Sequence, residues 1–192
     1  MATTEDTLDD LLATYRPRTP IEAEHVRAAR ALATAAPDPW SRALPLHATA
    51  SALIVHPPTR RVLLRWHARL GAWLQVGGHG DPGESAPLAI ALREAREETG
   101  LADLEPWPDA SPRHVAVVPV PAGGGEPAHE HADLRFVFAT ADPGSARREN
   151  AEAPLCWLGI EEARERTAQA NVRESLARAA YLLTAAGGSG RV

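Results

Sequence analysis

Three glutamates stand close together in the stretch GGHGDPGESAPLAIALREAREETGL, which covers residues 77–101. In a helix, Glu94 and Glu98 would lie one turn apart, with Glu97 beside them. Like charges at this spacing destabilise a helix by about 0.2–0.5 kcal/mol per pair, so either water or a cation should offset the repulsion. Mg²⁺ suits such a site, because it usually binds one or two carboxylates together with water and substrate phosphates. The spacing therefore predicts a divalent metal site.

A helix over residues 87–98 is expected to carry the glutamates, because its apolar positions recur every three or four residues. The apolar stripe comprises Leu88, Leu92, Ala95 and Thr99. The glutamates fall on a second face of this helix, and Gly100 is well placed to end it. In front of it, residues 77–83 are rich in glycine, and Asp-Pro-Gly at 81–83 is typical of a type II turn. Such a loop lets backbone groups come close to a ligand.

The same stretch resembles the Nudix box, whose pattern is Gly, five residues, Glu, seven residues, Arg-Glu-apolar-x-Glu-Glu-x-Gly-apolar. The matching residues, in order, are Gly78, Glu84, Arg93, Glu94, Ala95, Glu97, Glu98, Gly100 and Leu101. In this chain eight residues, rather than seven, separate Glu84 from Arg93. We expect the loop before the first helical turn to absorb the extra residue. The resemblance extends over residues 47–160, to a bacterial Nudix branch.

The resemblance implies a Nudix-type α/β/α sandwich with a mixed sheet. It also implies Mg²⁺- or Mn²⁺-dependent cleavage of a pyrophosphate linkage in a nucleoside diphosphate derivative. Glu94, Glu97 and Glu98 would be the metal ligands, and the carbonyl of Gly78 would be another. Arg93 would orient the glutamates through an ion pair. The catalytic residues predicted in this way are the three glutamates and Arg93.

The sequence leaves open which residue is the general base. Glu94 is one candidate, and Glu149 and Glu152 in a later loop are others, although the same two residues are also typical of a solvated surface loop.

Four further residues are predicted to bind substrate: His79, Glu84, His131 and Asp133. On a strand, His129, His131 and Asp133 would share one face, which favours either a substrate-binding role or a solvated strand start. The preceding loop, residues 121–130, contains three consecutive glycines, so we expect a flap that closes over substrate. His131 and Asp133 are then expected to face the metal and phosphate site.

The elements around the box indicate an α+β fold rather than a doubly wound sheet, because strands and helices do not alternate regularly. Helices are expected over 4–16, capped by Thr4 or Asp6, and over 20–36. Strands are expected from His47 onward, beginning with a hairpin, which is followed by a third short strand over residues 72–76. The predicted organisation is an N-terminal helical extension packed on the body (1–46), a Nudix hydrolase domain (47–186) and a flexible tail (187–192).

Composition narrows the class of protein. The chain has 192 residues, 44% of them hydrophobic, which suits one globular domain with a core. Its net charge of −5 gives no indication of a nucleic-acid-binding surface. Neither a signal peptide nor an apolar stretch long enough for a membrane span is visible. We expect a cytoplasmic protein acting on a small nucleotide-type substrate; its oligomeric state is open, with a homodimer among the alternatives.

The same residues bear on three alternative functions. Gly78, Gly80 and Gly83 also fit a dinucleotide-binding Gly-x-Gly-x-x-Gly, but the acidic residues about twenty positions on lie at a helix end and not on a strand. A ligand-sensing module without catalysis is the main alternative function, although the box is complete. An isopentenyl diphosphate isomerase would need a cysteine just before the Gly-His pair, where this chain has Gly77.

Overall fold

The computed structural model describes residue 3, residues 5–123 and residues 125–188. Over these residues the chain forms five α-helices and eight β-strands. The helices are α1 (Leu8–Thr14), α2 (Pro20–Ala35), α3 (Pro87–Thr99), α4 (Ile160–Arg166) and α5 (Ala170–Gly188). The strands are β1 (Leu46–His56), β2 (Arg61–His67), β3 (Ala72–Leu74), β4 (Val76–Gly78), β5 (Glu105–Pro106), β6 (His114–Val120), β7 (His129–Ala139) and β8 (Leu155–Gly159). None of these helices combines the length and apolarity needed to cross a membrane.

One mixed sheet contains all eight strands. Its main path runs β3-β2-β1-β7-β5, while β4 pairs with β1, β6 with β7 and β8 with β2. Strands β1 and β7 form the central pair and run parallel, from Leu46 opposite Glu130 to Val55 opposite Ala139. The expected β1–β2 hairpin is present and antiparallel. The mixed sheet confirms the α+β prediction.

Helices cover both faces of the sheet. Successive side chains of a strand point to opposite faces, so β1 contributes to two cores. Ala50 and Ala52 pack with α1, α2 and α3, whereas Leu53 and Val55 pack with α4 and α5. The same alternation in β7 sends its even-numbered residues from 132 to 138 toward α3. This arrangement confirms the α/β/α sandwich.

The N-terminal helices are joined to the body by a buried ion pair. Nη1 of Arg178 in α5 lies 2.7 Å from the Glu22 carboxylate in α2, and the Tyr15 hydroxyl donates to the same carboxylate. Helix α1 begins later than expected, because Thr7 caps it through a capping box with Asp10. The prediction of Asp6 as the cap is therefore wrong, and Thr4 lies outside the described residues.

Two other boundaries differ from the prediction. The segment expected as one strand over 72–76 is two short strands, which pair with β2 and with β1 respectively, so the chain changes partner at Gln75. Helix α5 continues to Gly188, two residues into the expected tail, and residues 189–192 of that tail lie outside the described part of the chain.

Candidate active site

Two glycines at the end of β4 bring the backbone against helix α3. A Cβ at Gly78 would lie 2.7 Å from the Glu94 carboxylate, and the Gly77 N–H donates to Oε2 of Glu98 at 3.1 Å. Gly77 has a φ of +145° and sits against β1, where a Cβ would lie 2.5 Å from Cα of Ser51. A side chain at Gly77 would meet the backbone of β1, and one at Gly78 would meet the Glu94 carboxylate, so glycine at both positions allows two carboxylates to reach the main chain.

Arg93 connects the glycine-rich loop to the glutamates. Its guanidinium donates to the Glu94 and Glu97 carboxylates, both at 2.9 Å, and to the carbonyl oxygen of His79 at 2.9 Å. It also forms a two-pronged pair with Glu84, with Nε–Oε1 at 3.0 Å and Nη2–Oε2 at 2.9 Å. These hydrogen bonds lower the pKa of Glu84 and raise that of Arg93. The contacts are those that an orienting role for Arg93 requires.

Glu84 keeps its contact with Arg93 despite the extra residue in the box. Helix α3 begins at Pro87, so the residue is taken up between Glu84 and the first helical turn. The Glu84 carboxylate also accepts from the Asp81 N–H at 2.8 Å, which closes the turn. The structure thus places Glu84 as a partner of Arg93; its predicted substrate contact stays a prediction.

Arg65 in β2 is a member of the site that the sequence did not reveal. Its Nη1 lies 3.2 Å from Oε1 of Glu98, and its Nη2 lies 3.0 Å from Oε2 of Glu149. Glu149, one of the two loop residues considered as a base, is therefore brought beside the glutamates, whereas Glu152 is exposed and only its backbone is held, by Asn150. A charged residue within the apolar strand RVLLRWH was the available signal.

Burial differs among the three glutamates. The side chains of Glu94 and Glu98 are 17% and 13% exposed, whereas that of Glu97 is 54% exposed. Burial raises the pKa of Glu98 to about 7, against the opposing effect of Arg65. Burial also raises the pKa of Glu94, with Arg93 acting in the opposite direction. Each raised pKa means that the negative charge is incompletely compensated by the protein itself.

The NUDIX domain model matches residues 45–179. The chain belongs to the Nudix family of hydrolases. A comparison with curated protein sequences finds no match.

Solved structures share the Nudix fold at low sequence identity. An Ap4A hydrolase from C. elegans superposes with a TM-score of 0.57 at 18% identity, over 72% of this chain and 98% of the other. The E. coli dihydroneopterin triphosphate pyrophosphohydrolase superposes with a TM-score of 0.51 at 18% identity, over 73% of this chain and 97% of the other. A NUDIX family hydrolase from Clostridium perfringens superposes with a TM-score of 0.54 at 24% identity, over 73% of this chain and 97% of the other.

Four histidines gather on the other side of the Nudix box loop. The parallel pairing sets His47 of β1 opposite His131 of β7, and His79 follows β4 directly. The His79 and His131 rings are edge to face, with centroids 4.8 Å apart, and His129 stacks on His47. Burial lowers the pKa of His79 to about 3 and that of His131 to about 4, so both are neutral at pH 7. Sequence reasoning missed His47.

Two residues of β7 point elsewhere than expected. His131 and Asp133 are odd-numbered, so they lie on the face of the sheet opposite to α3, and the expectation that they face the glutamates is wrong. The Asp133 carboxylate is buried and accepts from Thr49 at 3.1 Å and from Ser51 at 2.8 Å. It also pairs with Arg135 at 2.7 Å. Substrate binding by these residues stays a prediction.

The predicted flap is a short hairpin in the structure. Gly123 and Glu126 exchange backbone hydrogen bonds, and Gly124 lies outside the described residues. Arg69 holds the hairpin through the Glu126 carboxylate at 2.9 Å and the Pro121 carbonyl at 3.0 Å. Ordering of this loop by a ligand stays a prediction.

A cavity of about 770 Å³ lies between the N-terminal extension and the Nudix box loop. Its charged lining is mainly acidic: Asp9, Asp38, Asp81 and Glu84, with Arg42 as the counterpart. This charge disfavours a bare phosphate there.

Proposed function

We propose that this protein is a divalent-metal-dependent hydrolase that cleaves a pyrophosphate linkage in a nucleoside diphosphate derivative. The observation that carries the proposal is the set of glutamates that α3 presents beside Gly77 and Gly78. Glu94 reaches Gly78, Glu98 accepts from the Gly77 N–H, and Arg93 bridges Glu94 and Glu97. Glu94 and Glu98 also have raised pKa values. Such a group fits a hard cation with oxygen ligands, Mg²⁺ or Mn²⁺, because a cation would stabilise the ionised carboxylates that burial disfavours.

The residues that would hold the metal are the three glutamates and the Gly78 carbonyl. A divalent ion held there would supply charge neutralisation of phosphate oxygens and would lower the pKa of water. Arg93 fixes Glu94 and Glu97 in place, and the Gly77 N–H fixes Glu98. This preorganisation is what charge stabilisation in a transition state requires.

Proton transfer from the attacking water needs a carboxylate close to the metal group. Glu149 suits this role, because it lies on a surface loop, is 49% exposed, and is tied by Arg65 to Glu98. Glu94 remains the alternative base. Replacing Glu149 by Gln would reduce kcat without reducing metal affinity if Glu149 is the base.

The test is turnover by metal-stripped protein with a panel of substrates. The panel contains nucleoside triphosphates, nucleotide sugars, ADP-ribose, Ap4A and dihydroneopterin triphosphate, the last two taken from the names of the similar structures. We expect hydrolysis of the pyrophosphate linkage of at least one compound with Mg²⁺ or Mn²⁺, detected by separating the products, and none in excess chelator. Equal turnover with and without chelator would overturn the proposed mechanism.

A ligand-sensing module is the second candidate function. It predicts saturable binding of a panel compound without turnover under any metal condition. A complete set of box glutamates favours the hydrolase.

A further inference from the structure

We propose that His47, His79 and His131 form a second metal site, for a transition ion such as Zn²⁺, separate from the glutamates. One ring nitrogen from each of the three histidines lies within 4.8 Å of the corresponding nitrogens of the other two. Nothing in the Nudix box pattern calls for this group. The inference does not depend on which phosphate compound the protein hydrolyses.

The framework around the three histidines is rigid. His47 is 1% exposed in β1, which pairs with β7 through His131 and with β4, the strand that ends beside His79. Metal sites benefit from ligands on such elements, because little conformational freedom remains to be lost on binding. Three segments distant in sequence therefore present imidazoles to one point.

Hydrogen bonds to backbone carbonyls orient one of the three proposed ligands, His47, and the neighbouring His129. Nδ1 of His47 lies 3.0 Å from the carbonyl oxygen of Leu44, and Nδ1 of His129 lies 2.9 Å from that of Pro127. A carbonyl can only accept, so each Nδ1 carries the proton and each Nε2 bears a lone pair. Metal-binding histidines are typically held in this way, with the second nitrogen donating to a carbonyl or carboxylate.

The lone pairs on Nε2 of His47 and His129 each accept a hydrogen bond from a neighbouring ring, His79 and His131 respectively, so a bound metal would take the place of the proton between the His47 and His79 rings. Nε2 of His47 lies 3.1 Å from Nε2 of His79, and Nε2 of His129 lies 3.1 Å from Nε2 of His131. Tetrahedral Zn²⁺ with bonds of about 2.0–2.1 Å needs nitrogens about 3.3 Å apart. The His47–His79 pair is already near that spacing, so small ring movements would complete a three-nitrogen site.

Ligand chemistry separates this site from the glutamates. Imidazole nitrogens suit Zn²⁺, Ni²⁺, Cu²⁺ and Fe²⁺, whereas carboxylates and carbonyls suit Mg²⁺, Ca²⁺ and Mn²⁺. Three protein ligands leave a fourth position for water or for an anionic oxygen of a small molecule. His129, stacked on His47 at a centroid distance of 5.2 Å, lies beside the three histidines.

Zn²⁺ titration of untagged, metal-stripped, full-length protein tests the proposal. The parent for the test is the variant in which Glu94, Glu97 and Glu98 are all glutamine, so that Zn²⁺ cannot bind at the carboxylates. We expect this parent to bind one Zn²⁺ by calorimetry and to show visible absorption bands with Co²⁺. Excess Mg²⁺ should not compete.

Substitutions in this parent locate the site. Removing one ligand by His131→Ala or His79→Ala should weaken Zn²⁺ binding at least about tenfold, since even changes to the groups around metal ligands cost about 10–100-fold. His56→Ala, at the opposite end of β1, is the matched control and should bind as the parent does. His79→Ala lies after the strand, so it tests the site even if His131→Ala fails to fold. No Zn²⁺ binding by the parent, or undiminished binding by a folded His79→Ala variant, would overturn the proposal.

Discussion

The glutamate group and the histidine group lie on two sides of strand β4 and are built in different ways. The glutamates come from one helix and are held by contacts close by in the sequence. Arg93 bonds Glu84, 9 positions upstream, and the His79 carbonyl, 14 positions upstream. The histidines come from three strand ends, and Thr49 and Asp133 beside them are 84 residues apart in the chain. A motif read along the sequence can reveal the first group; only the strand pairing reveals the second.

Burial acts on the two groups in opposite directions on the pKa scale. It raises the pKa of Glu98 to about 7 and lowers that of His79 to about 3. In both cases the neutral form is favoured, because removal from water disfavours any charge. The comparison therefore separates an acidic site that needs a cation from a neutral site that offers lone pairs.

The largest expected effect is on catalysis by the glutamate group. Glu98→Gln and Glu97→Gln should each reduce kcat at least about 100-fold, because charge stabilisation at such sites is worth several kcal/mol. Steady-state kinetics with a panel substrate and Mg²⁺ gives the measurement. Glu165→Gln, on exposed helix α4, is the control with expected parental kcat. Activity within threefold of the parent for both site variants would contradict the assignment.

Next in size is the effect of Asp133 on stability. Its carboxylate forms a buried pair with Arg135, and removal of one partner of such a pair costs about 3–5 kcal/mol. Asp133→Ala should therefore lower the free energy of unfolding by about 3 kcal/mol, measured by urea denaturation. Asp142→Ala, near the end of β7, serves as the comparison. An unchanged unfolding midpoint for Asp133→Ala would show that Asp133 does not stabilise the fold.

A smaller effect concerns pH. The folded-state pKa of Glu98 is raised from 4.5 to about 7, so the folded protein binds more protons than the unfolded chain between these values. Stability from this group is therefore greatest at low pH and falls as pH rises through that window. In metal-free buffer, the free energy of unfolding of Glu98→Gln should rise relative to that of the parent by up to roughly 3 kcal/mol between pH 4.5 and pH 8. A difference in the free energy of unfolding between the two proteins that stays constant across that range would refute the raised pKa of Glu98.

The smallest change in stability is expected for Gly78→Ala. The three atoms nearest to the added Cβ all belong to the Glu94 carboxyl group, a side-chain end that can shift, so we expect a loss of at most about 1 kcal/mol. Mg²⁺-dependent turnover should fall about tenfold or more, because Glu94 is displaced. Gly77→Ala provides the contrast, since its Cβ would meet the backbone of Ser51 at a φ of +145°. Similar melting temperatures for the two variants would show that backbone contact is not what distinguishes them.

The sequence predicted the box helix well because local signals determine it. Its observed range, Pro87–Thr99, is one residue longer than the prediction of 87–98, with Gly100 in a left-handed conformation at its end. Buried Ile90 and Ala91 widen the expected apolar stripe. These are consequences of helical periodicity and of a glycine stop, both readable within a few residues.

Other parts of the site depend on pairing that a sequence pattern does not contain. Alternation indicated that His131 and Asp133 share a face, but it cannot say which face a helix will cover. Arg65 was missed because its partners, Glu98 and Glu149, are brought to β2 by tertiary packing. His47 was missed because its neighbour His131 lies in a strand that pairs in parallel from far along the chain.

The parallel pairing of β1 with β7 also has a consequence for the order of folding. Contacts between distant segments form late, because the intervening chain must lose its freedom before such contacts can stabilise it. The loop and helix of the box, where Gly77 and Glu98 are 21 residues apart, can assemble early. In a refolding experiment, Zn²⁺ capture by the histidines would accordingly appear with the final cooperative step, and would report when the central pair of strands has closed.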